Sequence, residues 1–169
     1  MIAECYISID EAVQKRSVLR KRNKTVALTN GCFDLLHAGH VHSLKQAAKY
    51  ADHLWVALNS DESVRILKGN LRPIITQKER AYILSALSCV EEIILFNTPN
   101  LKSEILKLKP DYYIKSSDYS LNSIDKEENQ ALQEVGTKIR FADMLTGTST
   151  TDVISKITKS SSSFLYSIE

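Results

Sequence analysis

The chain has 169 residues, of which 43% are hydrophobic and 25% are charged, and its formal net charge is +2. These values are ordinary for one soluble domain that buries its own hydrophobic core. The small net charge gives no indication of a nucleic-acid or membrane partner. No apolar run approaches the roughly 18 residues that a membrane-spanning helix needs.

The cysteines and the first residues indicate the compartment. Cys5, Cys32 and Cys89 show no metal-binding or disulfide spacing, and their odd number and wide separation fit a reducing environment. The first ten residues carry acidic side chains and lack the basic-then-apolar pattern of a signal peptide. We therefore expect a cytoplasmic protein.

The first predicted element is a helix over residues 8–22, because Ser8-x-x-Glu11 is a capping box. Its basic residues are predicted to form a solvated face. We interpret residues 1–23 as a helical extension that precedes the main domain.

Strands and helices then alternate along the chain. Apolar runs predict five strands, at residues 25–29, 54–58, 92–96, 112–114 and 138–141. Between the strands, cap residues predict a helix over 61–67 capped by Asp61 and a helix from Thr76-x-x-Glu79 to about Ser88. Apolar residues on one face predict two more helices, one with Leu101, Ile105 and Leu108 and one with Ile124, Ala131, Leu132 and Val135. Ser149 is predicted to cap a last helix.

This alternation predicts an α/β fold over residues 24–158, namely a single Rossmann-like, doubly wound domain with a five-stranded parallel sheet and helices on both faces. Residues 159–169 are interpreted as a polar tail. Ligands of such sheets bind beyond the carboxyl ends of the strands. We therefore expect the loops 30–40, 59–72, 115–119 and 145–151 to form one crevice.

The most informative motif lies between the first strand and the next helix. His37 and His40 are three residues apart, with Gly39 between them, at the predicted start of that helix. Free N–H groups and the helix dipole favour phosphate at such a position. Zinc is the alternative ligand, but zinc sites usually need three or four ligands, and the common helical pair is spaced i, i+4.

Two further segments contribute candidate phosphate ligands. Lys68 and Arg72 flank a flexible turn and are placed to close over phosphates, or they are two exposed basic side chains. Ser149, Thr150 and Thr151 bring hydroxyl groups to a helix start, where they serve either an anion or the helix cap.

The motif from Asn30-Gly31-Cys32-Phe33-Asp34 to His37-Ala38-Gly39-His40 resembles the His-x-Gly-His signature of nucleotidylyltransferases. Further segments follow in the order found in that family: Asn59-Ser60-Asp61, Lys68-Gly69, Arg72-Pro73, Asp118-Tyr119 and Ser149-Thr150-Thr151. Within the superfamily, the resemblance is strongest to the heptose 1-phosphate adenylyltransferases, which make ADP-heptose. Lys115-Ser116-Ser117-Asp118-Tyr119 departs from the usual Lys-Gly-Gly-Asp-Tyr of that branch, which leaves the acceptor sugar and the base open.

The resemblance implies a reaction in which a sugar phosphate attacks the α-phosphorus of a nucleoside triphosphate and pyrophosphate leaves. It implies His37, His40 and Lys68 as catalytic residues and Arg72 as a ligand of the acceptor phosphate. The nucleotide-binding residues that it implies are Asn30, Gly31, Cys32, Phe33, Gly39, Asn59, Asp61, Lys115, Asp118, Ser149, Thr150 and Thr151. Mg²⁺ is expected with the triphosphate, and Asp34 either orders water around that ion or is structural.

The resemblance also suggests a homodimer, and the N-terminal helix suggests a free-standing enzyme. Two alternatives remain open. One is a cytidylyltransferase that uses CTP and glycerol 3-phosphate or another small phosphate ester. The other is a non-catalytic nucleotide-binding regulatory domain. A redox domain of the Rossmann type is disfavoured, because Gly-x-Gly-x-x-Gly does not follow the first strand.

Overall fold

The structure is a computed structural model, and it describes residues 4–116, 123–143, 145 and 147–165, with the backbone alone for 161–165. Asp118 and Tyr119 of the sequence motif lie outside the described residues. No helix in these described ranges is long and apolar enough to cross a membrane.

The described strands form one parallel sheet, as the sequence predicts. They are β1 (Val26–Gly31), β2 (His53–Asn59), β3 (Glu92–Phe96), β4 (Tyr112–Ser116) and β5 (Lys138–Ala142). Their order in the sheet is β3-β2-β1-β4-β5. The chain therefore winds to one side of β1 and then to the other, which places a topological switch point between β1 and β4. Ligands bind beyond the carboxyl ends of the strands at such a point.

Four strands run further at their carboxyl ends than predicted. Asn30, Gly31, Asn59 and Lys115 were expected in loops, but they are the last or nearly the last residues of their strands. Pairing with the neighbouring strand continues through them, as Asn30 opposite Ala57 illustrates. These side chains are consequently held by the sheet itself rather than by a loop.

Helices cover both faces of the sheet. They are α1 (Ile9–Lys21), α2 (Ala38–Ala47), α3 (Asp61–Lys68), α4 (Gln77–Ser85), α5 (Lys102–Leu108), α6 (Lys126–Glu134) and α7 (Thr150–Leu165). Buried side chains of α1, α5 and α6 pack with Trp55 in one core. Those of α2 and α4 pack with Leu58 in a second core on the opposite face.

Several predicted helix boundaries are wrong. Ser60, not Asp61, caps α3, because its hydroxyl accepts a hydrogen bond from the N–H of Ser63 at 3.1 Å. The helix that begins at the Thr76 capping box ends at Ser85 rather than Ser88. Ile124 is buried, but it precedes α6, whose cap is Asp125.

The N-terminal helix packs on the sheet. Its capping box, Ser8 with Glu11, is confirmed, and Ala12 is fully buried in the first core. The solvated basic face has one exception, because Arg16 is 3% exposed and its guanidinium contacts the Asp111 carboxylate at 2.8 Å. This ion pair ties α1 to the segment that precedes β4.

Candidate active site

The loop after β1 folds back tightly over the sheet. Phe33 and Leu35 both have left-handed backbone conformations, with φ of 48° and 51°. A Cβ on Gly31 would lie 3.0 Å from the Phe33 ring. Because glycine has no side chain, residue 31 leaves room for the Phe33 ring, which is buried beneath the turn.

His37 caps α2 with its own side chain. Its Nδ1 atom accepts a hydrogen bond from the N–H of Gly39 at 3.2 Å. That nitrogen must be unprotonated to accept, so the neutral ring carries its proton on Nε2. Burial lowers the pKa of His37 below its ordinary value. The residue thus presents a neutral N–H donor at a helix start.

His40 stacks on His37 one turn into the helix. The ring centroids are 3.9 Å apart, and the edge of Phe33 contacts His40 from another side at 5.4 Å between centroids. Burial, together with the neighbouring His37 and Lys68, lowers the pKa of His40 to about 4. Both imidazoles are therefore neutral near pH 7, which allows them to stack and to act as hydrogen-bond donors.

Gly39 brings a second segment against the histidines. A Cβ at this position would lie 2.4 Å from the Thr148 hydroxyl oxygen and 3.0 Å from the His37 ring. Only glycine leaves room for both neighbours. The start of α7 and the start of α2 consequently meet at this residue.

Asp34 connects three segments around the crevice. Its buried carboxylate accepts the N–H of Ile74 at 3.0 Å and the N–H of Ile75 at 3.3 Å. The same carboxylate lies 2.7 Å from Nε of Arg72, in an ion pair without hydrogen-bond geometry. The Asp34 carbonyl accepts from the Thr150 hydroxyl at 3.0 Å. Asp34 thus joins the α3–α4 loop and α7 to the histidine loop.

Arg80 is a central residue that the sequence analysis missed. Its side chain is fully buried, and it donates to the carbonyls of Cys32 and Ile75 and to the Asp61 carboxylate. It thereby joins the loop after β1 to the starts of α3 and α4. The sequence did contain an indication that Arg80 is buried, because Arg80 lies four residues before Leu84, on the apolar face of α4.

The carboxyl ends of β1, β2 and β4 carry the remaining polar contacts. The Cys32 thiol lies 3.9 Å from the Asn59 side-chain oxygen, and Asn59 donates to the Ser63 hydroxyl at 2.9 Å. Burial raises the pKa of the Cys32 thiol, while the nearby Lys68 opposes this shift. On the other side, Lys115 donates to Asn30 at 2.8 Å.

The three predicted residues at the start of α7 have three different environments. Ser149 caps the helix, since its hydroxyl accepts the N–H of Asp152 at 3.1 Å and donates to that residue's carboxylate at 2.7 Å. Thr150 bonds to Asp34, as described above, whereas Thr151 is exposed in the first turn. The Ser149 capping prediction is therefore confirmed.

Asp61 lies at the start of α3, where Arg80 pairs with its carboxylate. Asp61 also lines a surface cavity of about 540 Å³ with Ser60, Thr76 and Gln77. Among the described residues, no group of three or more histidine, cysteine, aspartate or glutamate side chains could hold a metal ion. The structure thus places Phe33 and Gly39 against the histidines, and it joins Asp34 to Arg72 and Thr150.

The low pKa of His40 predicts a pH-dependent stability. Residue 40 takes up a proton near pH 6.5 in the unfolded chain but only near pH 4 in the folded one. Stability from this group is therefore complete above pH 6.5 and is lost as the pH falls towards 4, by about 3 kcal/mol in all. Urea unfolding of wild type and His40→Asn at pH 7 and pH 4.5 should show a weaker pH dependence in the variant. Equal dependence in both proteins would contradict this prediction.

The sequence matches a known family over most of its length. The model of the cytidylyltransferase-like family matches residues 28–163. The bifunctional protein HldE of Syntrophotalea carbinolica is 42% identical over 140 residues, which make up 83% of this chain and 28% of that protein. HldE of Hydrogenovibrio crunogenus is 41% identical over 151 residues, or 89% of this chain and 31% of that protein. The chain spans less than a third of the length of these relatives.

A solved structure shares the fold. The lipopolysaccharide core biosynthesis protein from Thermoplasma volcanium superposes with a TM-score of 0.58 and is 27% identical. The match covers 72% of this chain and 97% of that protein. The prediction of a Rossmann-like α/β domain is therefore confirmed.

Proposed function

The chain belongs to the cytidylyltransferase-like family and is a nucleotidyltransferase, and from this premise we propose that it transfers the adenylyl group of ATP to heptose 1-phosphate, giving ADP-heptose and pyrophosphate. The match to the bifunctional HldE proteins supports this choice. So does the structural neighbour, which is described as a lipopolysaccharide core biosynthesis protein.

In the proposed reaction, an oxygen of the sugar phosphate attacks the α-phosphorus of the triphosphate. The bond from that phosphorus to the bridging oxygen of the β-phosphate breaks, and pyrophosphate leaves with the electron pair. An ionised phosphate is already a nucleophile, so the step needs no strong general base. It needs in-line placement and stabilisation of the charge that grows on the phosphoryl oxygens.

The observation that carries this proposal is the stacked, neutral pair of His37 and His40 at the start of α2. In our proposal, both imidazoles donate hydrogen bonds to the phosphoryl group and to the leaving oxygen. The free N–H groups and dipole of α2 favour the same charge. Neutral rings can donate without giving up a proton, which suits a reaction in which no group needs protonation.

Cationic and hydroxyl groups around the histidines complete the proposed site. Lys68 is exposed at the end of α3, and its charge contributes to the lowered pKa of His40. We propose that Lys68 neutralises charge on the triphosphate. Asp34 engages Arg72 through Nε, which leaves the two terminal nitrogens to bind the acceptor phosphate. Ser149, Thr150 and Thr151 are proposed to hold the β- and γ-phosphates.

We propose that Mg²⁺ enters bound to the triphosphate rather than to a site on the protein. Mg²⁺ typically keeps several waters and binds through substrate phosphates. The carboxylate of Asp34 does not fit a metal ligand, because two backbone N–H groups and Arg72 already engage it. We assign Asp34 the role of holding the surrounding loops in place.

Lys68→Ala is expected to raise the KM for the triphosphate by about tenfold, the loss that corresponds to roughly 1.4 kcal/mol of charge-assisted binding. Steady-state kinetics with varied ATP measure this effect, and the melting temperature should not change because the side chain is exposed. Lys107→Ala, which removes an exposed lysine from the last turn of α5 on the other face of the sheet, is the matched control. An unchanged KM and kcat in Lys68→Ala would dismiss the proposed role.

The substrates can be tested with a pyrophosphate-release assay. The protein is incubated with ATP or CTP and a panel of sugar and alcohol phosphates that includes heptose 1-phosphate and glycerol 3-phosphate. Release with ATP and heptose 1-phosphate supports the proposal. Release with CTP and glycerol 3-phosphate alone would replace it with the cytidylyltransferase alternative. Nucleotide binding without release from any pair would favour a regulatory domain.

Two properties of the whole protein complete the proposal. We propose a homodimer and a cytoplasmic location, the latter supported by three free cysteines. Four large apolar side chains near the site are exposed in the single chain: Ile66, Leu67, Leu71 and Ile74. Light scattering of the purified protein tests the dimer, and a monomeric mass would refute it.

A further inference from the structure

A buried carboxylate lies beneath the switch point of the sheet. Glu128 of α6 is 4% exposed, and one of its oxygens accepts the N–H of Leu101 at 3.0 Å. Its other oxygen accepts the Tyr113 hydroxyl at 2.9 Å and lies 3.3 Å from the Lys115 ammonium. A buried carboxylate is unfavourable unless it is paired and hydrogen-bonded, so these three partners stabilise the charged form of Glu128.

The same two β4 side chains reach Asn30 at the end of β1. The side-chain oxygen of Asn30 accepts from Lys115 at 2.8 Å and lies 3.1 Å from the Tyr113 hydroxyl oxygen, whose single proton is donated to Glu128. An ammonium group can only donate, so the Asn30 atom that faces it must be the oxygen. Lys115 therefore fixes which way the Asn30 amide points.

This orientation leaves the Asn30 amide nitrogen for another partner. In the part of the chain that the structure describes, no acceptor lies within hydrogen-bond distance of that nitrogen. Asn30 is half-buried at the carboxyl end of β1, where ligands of this sheet topology bind.

We infer that Glu128 is a positioning residue that holds the Lys115 ammonium against Asn30, and so presents the Asn30 amide N–H groups as donors to an oxygen or nitrogen acceptor of the bound nucleotide. This inference rests on the proposed function, because it takes the ligand at the switch point to be a nucleoside triphosphate. Asn30 contacts the nucleotide, whereas Glu128 acts on Asn30 through Lys115, on the same face of the sheet.

A purely structural Glu128 would give a different result in a double-mutant cycle. Glu128→Gln keeps the size of the side chain but offers one oxygen where two are used, so either Leu101 or Lys115 loses its acceptor. If Glu128 acts through Asn30, the substitution weakens nucleotide binding only while Asn30 is present. If it only supports the fold, the two substitutions add independently.

The experiment measures ATP and CTP affinity by calorimetry, without an acceptor, for wild type, Glu128→Gln, Asn30→Ala and the double variant. Each single variant is expected to weaken affinity for the bound nucleotide by about tenfold, the range for a lost charge-assisted hydrogen bond. The double variant should bind no more weakly than Asn30→Ala. Glu127→Gln is the matched control, since Glu127 precedes Glu128 on α6 but pairs at the surface with Lys102.

Two results would overturn the inference: wild-type affinity in a folded Glu128→Gln variant, or an additive loss in the double variant. If Glu128→Gln does not fold, the nucleotide affinity of Asn30→Ala is the remaining test. An Asn30→Ala variant that binds nucleotide with wild-type affinity overturns the inference. Wild-type protein that binds nucleotide but releases no pyrophosphate contradicts the proposed reaction only, because the affinity comparison still tests Glu128. Wild-type protein that binds neither nucleotide refutes both.

Discussion

His40→Ala is expected to lower kcat by about 10²- to 10³-fold, the loss seen when one preorganised donor to a developing oxyanion is removed. The physical reason is that His40 stays neutral, with a pKa of about 4, and stacks on His37 in a fixed orientation. A water molecule in its place would have to reorganise as the charge develops. The KM for the triphosphate should rise less than kcat falls, because the donor matters most in the transition state.

The fold should survive this substitution. His40 is only partly buried, and its buried Nδ1 atom has no hydrogen-bond partner among the described residues, so truncation leaves no protein group unsatisfied. The matched control is His42→Ala, which removes an imidazole two residues further along α2. Single-turnover kinetics and thermal unfolding of both variants provide the measurement. A kcat equal to that of wild type in His40→Ala would contradict the assigned role.

Arg80→Met is expected to destabilise the protein by about 3 kcal/mol, the lower end of the range for removing one partner of a buried ion pair. Methionine fills much of the volume but cannot donate, so the carbonyls of Cys32 and Ile75 and the carboxylate of Asp61 lose their donor. We expect a loss at the lower end of that range because the Asp61 side chain is 23% exposed, so water can hydrogen-bond to its carboxylate once the guanidinium is gone.

Urea unfolding of Arg80→Met measures this loss as a difference in the free energy of unfolding. Arg65→Met on α3 is the control, since Arg65 is exposed and surface substitutions usually change stability by less than about 0.5 kcal/mol. Activity in Arg80→Met should fall as well, because the loop that carries the histidines loses its anchor at Cys32. Equal stability of the two variants would show that Arg80 does not hold these loops together.

The parallel sheet was predictable because its strands are apolar runs that alternate with capped helices. Glu92–Phe96 matches its predicted strand at both ends, since polar residues and a turn bound that run. The carboxyl ends of β1, β2, β4 and β5 were predicted too short. Polar residues such as Asn30, Asn59 and Lys115 continue the pairing there, and their side chains find partners that only the folded chain provides.

The histidine motif was predictable for a different reason: its two rings, the glycine and the helix start are all local in sequence. The residues that hold the motif are not local. Asp34 reaches Ile74 and Ile75, Arg80 reaches Cys32, and Glu128 reaches Leu101 and Lys115. Arg80 and Glu128 each left one signal, namely a charged side chain on the buried stripe of a helix. That signal indicates a buried partner but does not identify it.

The most direct measurement is a crystal structure of the protein with a non-hydrolysable ATP analogue. We expect the Nε2 atom of His37 and a ring nitrogen of His40 to lie within hydrogen-bond distance of the triphosphate, at the start of α2. A triphosphate bound elsewhere on the sheet, with both rings still stacked and facing away from it, would contradict the proposed role of the two histidines.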